Sequence, residues 1–337
     1  MSQDLDASFL YFILNGFELN QDYYCCPEDT GLWPASVRRP FWGAYFFWCG
    51  CVMLIIYTIC FIAIATSDLM NTAAYKMMIV LGVFDLLSII LFGITVGTLS
   101  FFGLTFCDCP CFSYIVGSIG VGSWMGSCIS SLILAAIRIG DVSDSKTIRK
   151  IFEGWRIYIF VVFSVMYGGL SGLLTKPFLF SPENMSFLFN PGIGKDQNLY
   201  ENLPHTLNNC FVVVGTFILY VYLGYMCWKK KKQGGTNQLS KYKLNLVLQA
   251  FFFCVFHLIC AILYVYMQYV SAPKVLMIIG HLAWQFGTVS ICMVYLTLNR
   301  SIRKRVSEMI YPKNLMQINS IQNAVSTSDP RASVQMT

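Results

Sequence analysis

Apolar positions along this chain gather in seven long blocks, parted by polar stretches, at 42–66, 75–99, 110–137, 155–175, 207–228, 244–270 and 275–298. None carries the polar stripe at helical period that a core helix of a soluble protein would show. A helix rises about 1.5 Å per residue and the hydrocarbon core of a bilayer is about 30 Å thick, so about 20 apolar residues suffice to cross it. All seven blocks are long enough, and all but the second and fourth lack Asp, Glu, Lys and Arg. The pattern predicts an all-α membrane protein: a seven-transmembrane helix bundle over 42–298, with an N-terminal segment 1–41 outside. Past the seventh block, Ile302, Val306 and Ile310 recur every four residues with bases on another face. That spacing predicts a short amphipathic helix on the inner leaflet, followed by a polar tail to 337 without regular structure.

Composition agrees with the pattern. Hydrophobic residues make up 56% of the chain and charged residues 12%, about half the charge of a soluble protein. The net charge of +6 takes its meaning from placement. Arg38, Arg39, Lys176, Lys195 and Lys274 fall on one side of the predicted spans, and the remaining eighteen of 23 Lys and Arg on the other. The side rich in Lys and Arg is cytosolic, so the N-terminus is outside. Lys229–Lys232 is then an anchor at the headgroups. With no interleaved aromatic platform, it does not suit nucleic acid. The start of the chain has acids, Asp4 and Asp6, where a signal peptide needs bases, and the apolar stretch 9–14 is short, so no cleaved signal is expected.

Charge inside the membrane costs several kcal/mol and marks function. Asp85 is the one acid well inside a block, and it should face the interior and meet hydroxyls, with Ser88, Ser127, Ser130, Ser131 and Ser290 as candidates, as a switch, an ion site or a structural knot. The three histidines are scattered, and no spacing fits zinc, so no metal and no cofactor are expected. Gly-Lys-Ser/Thr, Gly-x-Ser-x-Gly and Cys-x-x-Cys words are absent, which argues against an enzyme. The glycines Gly117, Gly120, Gly122 and Gly126 favour close helix packing. Cys25, Cys26, Cys107, Cys109, Cys111 and Cys210 lie on the outer side, where disulfides persist, and the preferred bridge ties Cys25 or Cys26 to the Cys107–Cys111 cluster, with Cys210 as the alternative partner. Asn184-Met185-Ser186 is a usable glycosylation site there.

Several local words carry more. Tyr75-Lys76-Met77-Met78 followed by Leu81-Gly82-Val83-Phe84-Asp85, and Phe106-Cys107-Asp108-Cys109-Pro110, resemble the second and third helices of the nematode serpentine chemoreceptors of class T. Tyr200-Glu201-Asn202 with His205, Tyr264-Val265-Tyr266-Met267-Gln268, Trp284-Gln285 and Tyr295-Leu296-Thr297-Leu298-Asn299-Arg300 extend the resemblance over about 20–305. It implies a chemosensory G-protein-coupled receptor in the plasma membrane of sensory neurons or their cilia, with a heterotrimeric G protein as partner. Asp85 would hold the second-helix acidic position of rhodopsin-like receptors, and Arg138 the arginine ending the third helix. The chain departs from the pattern in three places. Arg138 sits in Ala136-Ile137-Arg138-Ile139, the loop 176–206 has no cysteine, and the seventh block has no proline.

The resulting expectation is a receptor for a small molecule arriving from outside. Its ligand would touch Tyr114, Ser118, Asn208, Asn209, Tyr266, Gln268, His281, Trp284 and Gln285 between the outer halves of the third, fifth, sixth and seventh helices. Arg138, Lys229, Arg300 and Arg303 would border the opening for the cytosolic partner. A channel or transporter, or a receptor-like protein without signalling, remain the alternative readings.

Overall fold

The computed structural model describes residues 5–20, 36–142, 146–191, 196–232, 241–270 and 272–310. Seven long helices occupy the seven blocks: Pro40–Ala65, Ala73–Phe102, Pro110–Val142, Arg156–Leu174, Leu203–Lys232, Lys241–Tyr269 and Lys274–Leu298. Six are long and apolar enough to cross a membrane, and the other, Lys241–Tyr269, has the apolar stretch Val255–Tyr269. Proline opens the first and third helices and directly precedes the seventh. It costs nothing there, because the first amide groups of a helix have no intrahelical partner. The fifth helix runs four residues further on each side than the apolar block 207–228, since satisfied backbone, not hydropathy, sets where a helix stops.

The third helix is central, with most of its residues buried. It packs most extensively against the fourth, at a crossing only glycine permits. A Cβ on Gly122 would stand 2.8 Å from the Gly168 carbonyl oxygen. The second helix carries a π-helical stretch, Ile89–Thr95, in its middle. Such a stretch adds a residue per turn and re-aims the side chains beyond it. Phe92, within it, lies buried against Trp284 of the seventh helix.

Between the fourth and fifth helices the chain makes a hairpin of strands β1 (Leu179–Ser181) and β2 (Ser186–Leu188), with Phe180 opposite Phe187. All six strand residues are buried, because the hairpin lies inside one end of the bundle. Phe187 meets Phe92 edge-on at 5.6 Å, and Phe178 meets Trp284 at 6.2 Å. This loop has no cysteine, and its hold on the bundle comes from other contacts. Asn202 donates to the Lys176 carbonyl at 2.9 Å and Lys176 Nζ to the Glu201 carbonyl at 2.9 Å. Phe178 passes so close to Gly117 that a Cβ there would overlap its carbonyl oxygen.

At the same end, the stretch 9–14 forms a short helix, Phe9–Leu14, capped by Ser8. Ala7 and Phe12 are buried, and Tyr114 of the third helix donates to the Ala7 carbonyl at 3.0 Å. At the opposite end the expected amphipathic helix is present, Arg300–Ile310. Its apolar face differs from expectation: Ile302 and Val306 are buried in a cluster with Ile64, Tyr75 and Tyr295, and only Ile310 stays exposed. That face is seated on the bundle because burial against packed side chains satisfies it as well as lipid would. The tail from 311 onward, with Cys25, Cys26 and Lys195, lies outside the described residues.

Candidate functional site

Three connected layers of polar and aromatic groups run through the bundle. The first is a cleft of about 220 Å³ at the hairpin end. Phe178, Leu188 and Phe189 wall it from the hairpin side, Tyr264, Met267 and Gln268 from the sixth helix, and Met277 from the seventh. Asn184, in the hairpin turn, also lines it, and its amide donates to Ser181 Oγ at 3.2 Å. Glu183, beside it, pairs with Lys274 at 2.7 Å and ties the turn to the start of the seventh helix.

The second layer lies deeper. Tyr264 meets Trp284 edge-on at 5.4 Å, and Trp284 meets Trp124 at 5.4 Å. Trp124 donates its indole N–H to Asn209 at 2.9 Å. Asn208 donates to the same oxygen at 3.2 Å and accepts from Tyr167 at 2.9 Å. His205 stands 3.4 Å from the Asn209 amide. The third, fourth and fifth helices are thus joined by one network whose amides are all buried.

The third layer surrounds Asp85. Its carboxylate accepts from Tyr57 of the first helix at 2.5 Å and from Ser127 of the third at 3.1 Å. Ser127 also lies 3.0 Å from Nε2 of His257, in the sixth helix. His257 stacks on Trp124 with centroids 5.6 Å apart, so the second and third layers touch. A buried polar group without partners is costly, and here one serine helps satisfy two of them. Among the described residues, no group of three or more His, Cys, Asp or Glu is placed to hold a metal ion.

At the far end Arg138 is buried, with Asp141 one helical turn on at 3.4 Å and the Met78 sulfur at 3.5 Å. Asn299 accepts from the amides of Ser301 and Ile302, starting the last helix, and donates to Tyr75 of the second helix at 3.2 Å.

A family model described as the serpentine type 7TM GPCR chemoreceptor Srt matches residues 7–319. The chain belongs to the Srt family. Among curated relatives, serpentine receptor class T-55 of Caenorhabditis elegans is 21% identical over 291 residues, covering 86% of this chain and 80% of that protein. Squid rhodopsin superimposes with a TM-score of 0.58 over 86% of this Srt chain and 91% of its own, at 14% identity. That likeness establishes the rhodopsin-like seven-helix fold, and the family with its long apolar helices a multi-pass membrane protein.

Within this Srt fold the expected ligand residues separate. Gln268 alone among them lines the cleft. Tyr114 is committed to the N-terminal helix, and Asn208, Asn209 and Trp284 to the second layer. Ser118 and His281 are buried, His281 against Phe46, and Gln285 faces the Phe46 carbonyl at 3.5 Å. Tyr266 is placed differently from expectation: it is exposed on the outer surface of the bundle, because it lies two residues, about 200° of helix rotation, from the inward-facing Tyr264. The expected space between the helices is taken by the hairpin. Its signal in the sequence is Leu-Phe-Ser and Ser-Phe-Leu flanking Pro182-Glu183-Asn184-Met185.

Of the hydroxyls expected around Asp85, Ser127 bonds the carboxylate and others do not. Ser131 and Ser290 bond to carbonyls of their own helices, Cys128 and Gly287. Tyr57 and His257, outside that expectation, complete the place with Ser127. Lys229, Arg300 and Arg303 are exposed at the end opposite the hairpin, Arg303 donating to the Thr297 carbonyl at 2.9 Å. Cys107 and Cys109 are half-buried at the start of the third helix and Cys111 is exposed there, while Cys210 is a free thiol exposed on the fifth helix.

Proposed function

We propose that this chemosensory receptor takes a small molecule from outside into the cleft beneath the hairpin and reports it to a heterotrimeric G protein at the opposite end. The observation that carries the reading is the contiguity of the three layers. Tyr264 forms the cleft wall and touches Trp284, Trp284 touches Trp124, and Trp124 stacks on the histidine that meets Ser127 and Asp85. A ligand that favours one position of Tyr264 and Trp284 biases the packing of the third, sixth and seventh helices around them. Its differential affinity for the two packings sets the size of the signal.

In this reading the hairpin end is extracellular and the helix Arg300–Ile310 is cytosolic, as the charge asymmetry requires. Arg138, Lys229, Arg300 and Arg303 border the G-protein opening, and Asp141 holds Arg138 in the inactive packing. The plasma membrane of a sensory neuron or its cilium is the proposed location. Cys25 or Cys26 would pair with the cluster Cys107, Cys109 and Cys111.

The test is a G-protein reporter cell expressing the full chain, screened against a panel of small odorants and soluble metabolites. Responses that disappear in Tyr264→Ala and in Arg138→Ala, with surface expression unchanged, support the reading. A response that survives Tyr264→Ala removes the cleft from it, and a ligand-evoked current that survives G-protein block favours a channel.

A further inference from the structure

The cleft carries several polar groups in a mainly apolar lining, yet among the described residues that line it there is no carboxylate, amine, guanidinium or imidazole. Its polar lining comes from Asn184, Asn190, Tyr200, Tyr264 and Gln268, all neutral at physiological pH, and its apolar lining from aromatic and methionine side chains. Among the charged residues close by along the chain, Glu183, Lys274 and Lys176 are already engaged, and Lys195 lies outside the described residues. Glu183 and Lys274 face each other, both more than half exposed outside the cleft, and Lys176 donates to the Glu201 carbonyl behind it. A carboxylate or ammonium entering the cleft would lose water and meet no counter-charge among the described residues that line it, and an unpaired buried charge is a costly guest. A neutral guest loses little, because amide and phenol groups offer both donors and acceptors. The volume of about 220 Å³ is below the about 300–1,000 Å³ of pockets that hold drug-sized ligands.

We infer that the ligand of this receptor is an uncharged molecule, smaller than a typical drug, with an apolar body and at least one hydrogen-bonding group such as an alcohol, ketone, ester or amide. Carboxylates and amines are excluded. The inference rests on the cleft being the ligand site, as proposed above, and adds its chemical class. The walls select for it in two ways. Phe178, Phe189 and Met267 reward an apolar body, with methionine adapting to its shape. Asn184 and Gln268 half-bury their amides from opposite sides, one in the hairpin turn and the other on the sixth helix, so a single polar group on the guest can reach either.

The experiment reads the cleft without needing the natural ligand. A thiol is introduced by Met277→Cys in the full chain, reconstituted in lipid nanodiscs. It is reacted with three methanethiosulfonates: neutral methyl, anionic sulfonatoethyl and cationic trimethylammonioethyl. Rates are measured by peptide mass spectrometry and divided by those of a second introduced thiol, Asn15→Cys, exposed at the same end of the same molecules. At least a tenfold lower relative rate for both charged reagents is expected. Gln268→Glu in the same background should restore the cationic reagent at least threefold and leave the anionic one slow. Met267→Cys serves as a second reporter position should the first variant fold poorly. Charged reagents that react as fast as the neutral one overturn the ligand class. A reporter screen silent toward every neutral and charged compound, with the receptor at the surface, counts instead against the cleft as the receptor's ligand site.

Discussion

The Tyr57 phenol and the Asp85 carboxylate meet at 2.5 Å inside the bundle, fastening the first helix to the second. Ser127 supplies the other bond to the carboxylate at 3.1 Å, from the third helix. Tyr57→Phe keeps the ring and its packing but leaves Ser127 as the partner of Asp85 among the described residues. The loss of one such bond to a buried group should cost about 1–3 kcal/mol. Thermal unfolding of the detergent-solubilised protein should show a lowered midpoint. Asp85→Asn should shift it less, since an amide oxygen still accepts from the phenol. Equal shifts for the two variants would show that this bond is not what holds the helices together.

The close passage of the hairpin over the third helix gives a sharper steric test. A methyl group at Gly117 would overlap the Phe178 carbonyl, so Gly117→Ala must displace the strand or the helix. Overpacking of this kind costs about 1–3 kcal/mol. Gly169 is the matched control, because a Cβ there has nothing within 4 Å. Replacing a glycine in a helix by alanine without a clash stabilises by about 0.5–1 kcal/mol. The two glycine-to-alanine changes should therefore move the unfolding midpoint in opposite directions, and movement in the same direction would contradict the placement of the hairpin.

Much of this architecture is legible from residue order. Lipid demands an unbroken apolar surface, so the seven blocks and their rough limits stand out, as does Asp85, an acid where acids are expensive. What faces Asp85 is legible only in part: Ser127 stands among five candidate hydroxyls, whereas Tyr57 and His257 come from helices whose rotation is set by packing. Ser131 is a reasonable candidate, since it lies one turn from Ser127, yet its hydroxyl satisfies its own helix. An acid for Arg138 is missing next to it in sequence, whereas a helix brings residues three apart together and the partner is Asp141. The hairpin is hard to see because six strand residues in a long connection give too short an alternation to stand out. Without it, the space between the outer halves of the helices reads as open.

Asn299 joins two tasks that a substitution can separate. Its side-chain oxygen accepts from the amides of Ser301 and Ile302, and its nitrogen donates to Tyr75. Asn299→Asp keeps the cap and loses the donor, while Asn299→Ala loses both. Losing a cap costs about 1 kcal/mol. Hydrogen exchange over 300–310 should therefore quicken about fivefold or more in the alanine variant, and only slightly in the aspartate one. Similar exchange in both would assign the stability of this helix to the buried Ile302 and Val306 rather than to its cap.

The pair Glu183–Lys274 offers a last prediction, in which stability and motion part company. Both side chains are more than half exposed, and pairs of that kind contribute about 0–1 kcal/mol. Removing either charge should hardly alter the unfolding midpoint. The pair nevertheless joins the hairpin turn to the start of the seventh helix, and the cleft lies between them. Glu183→Lys replaces attraction by repulsion at that mouth. Hydrogen exchange across the turn 182–185 should rise severalfold at low ionic strength and less in high salt, where a Debye length of about 3 Å at 1 M screens the charges. Adding Lys274→Glu restores opposite signs and should return exchange toward the original rate. Failure of the double variant to recover would mean that the turn is held by its buried strands alone, with the ion pair a bystander.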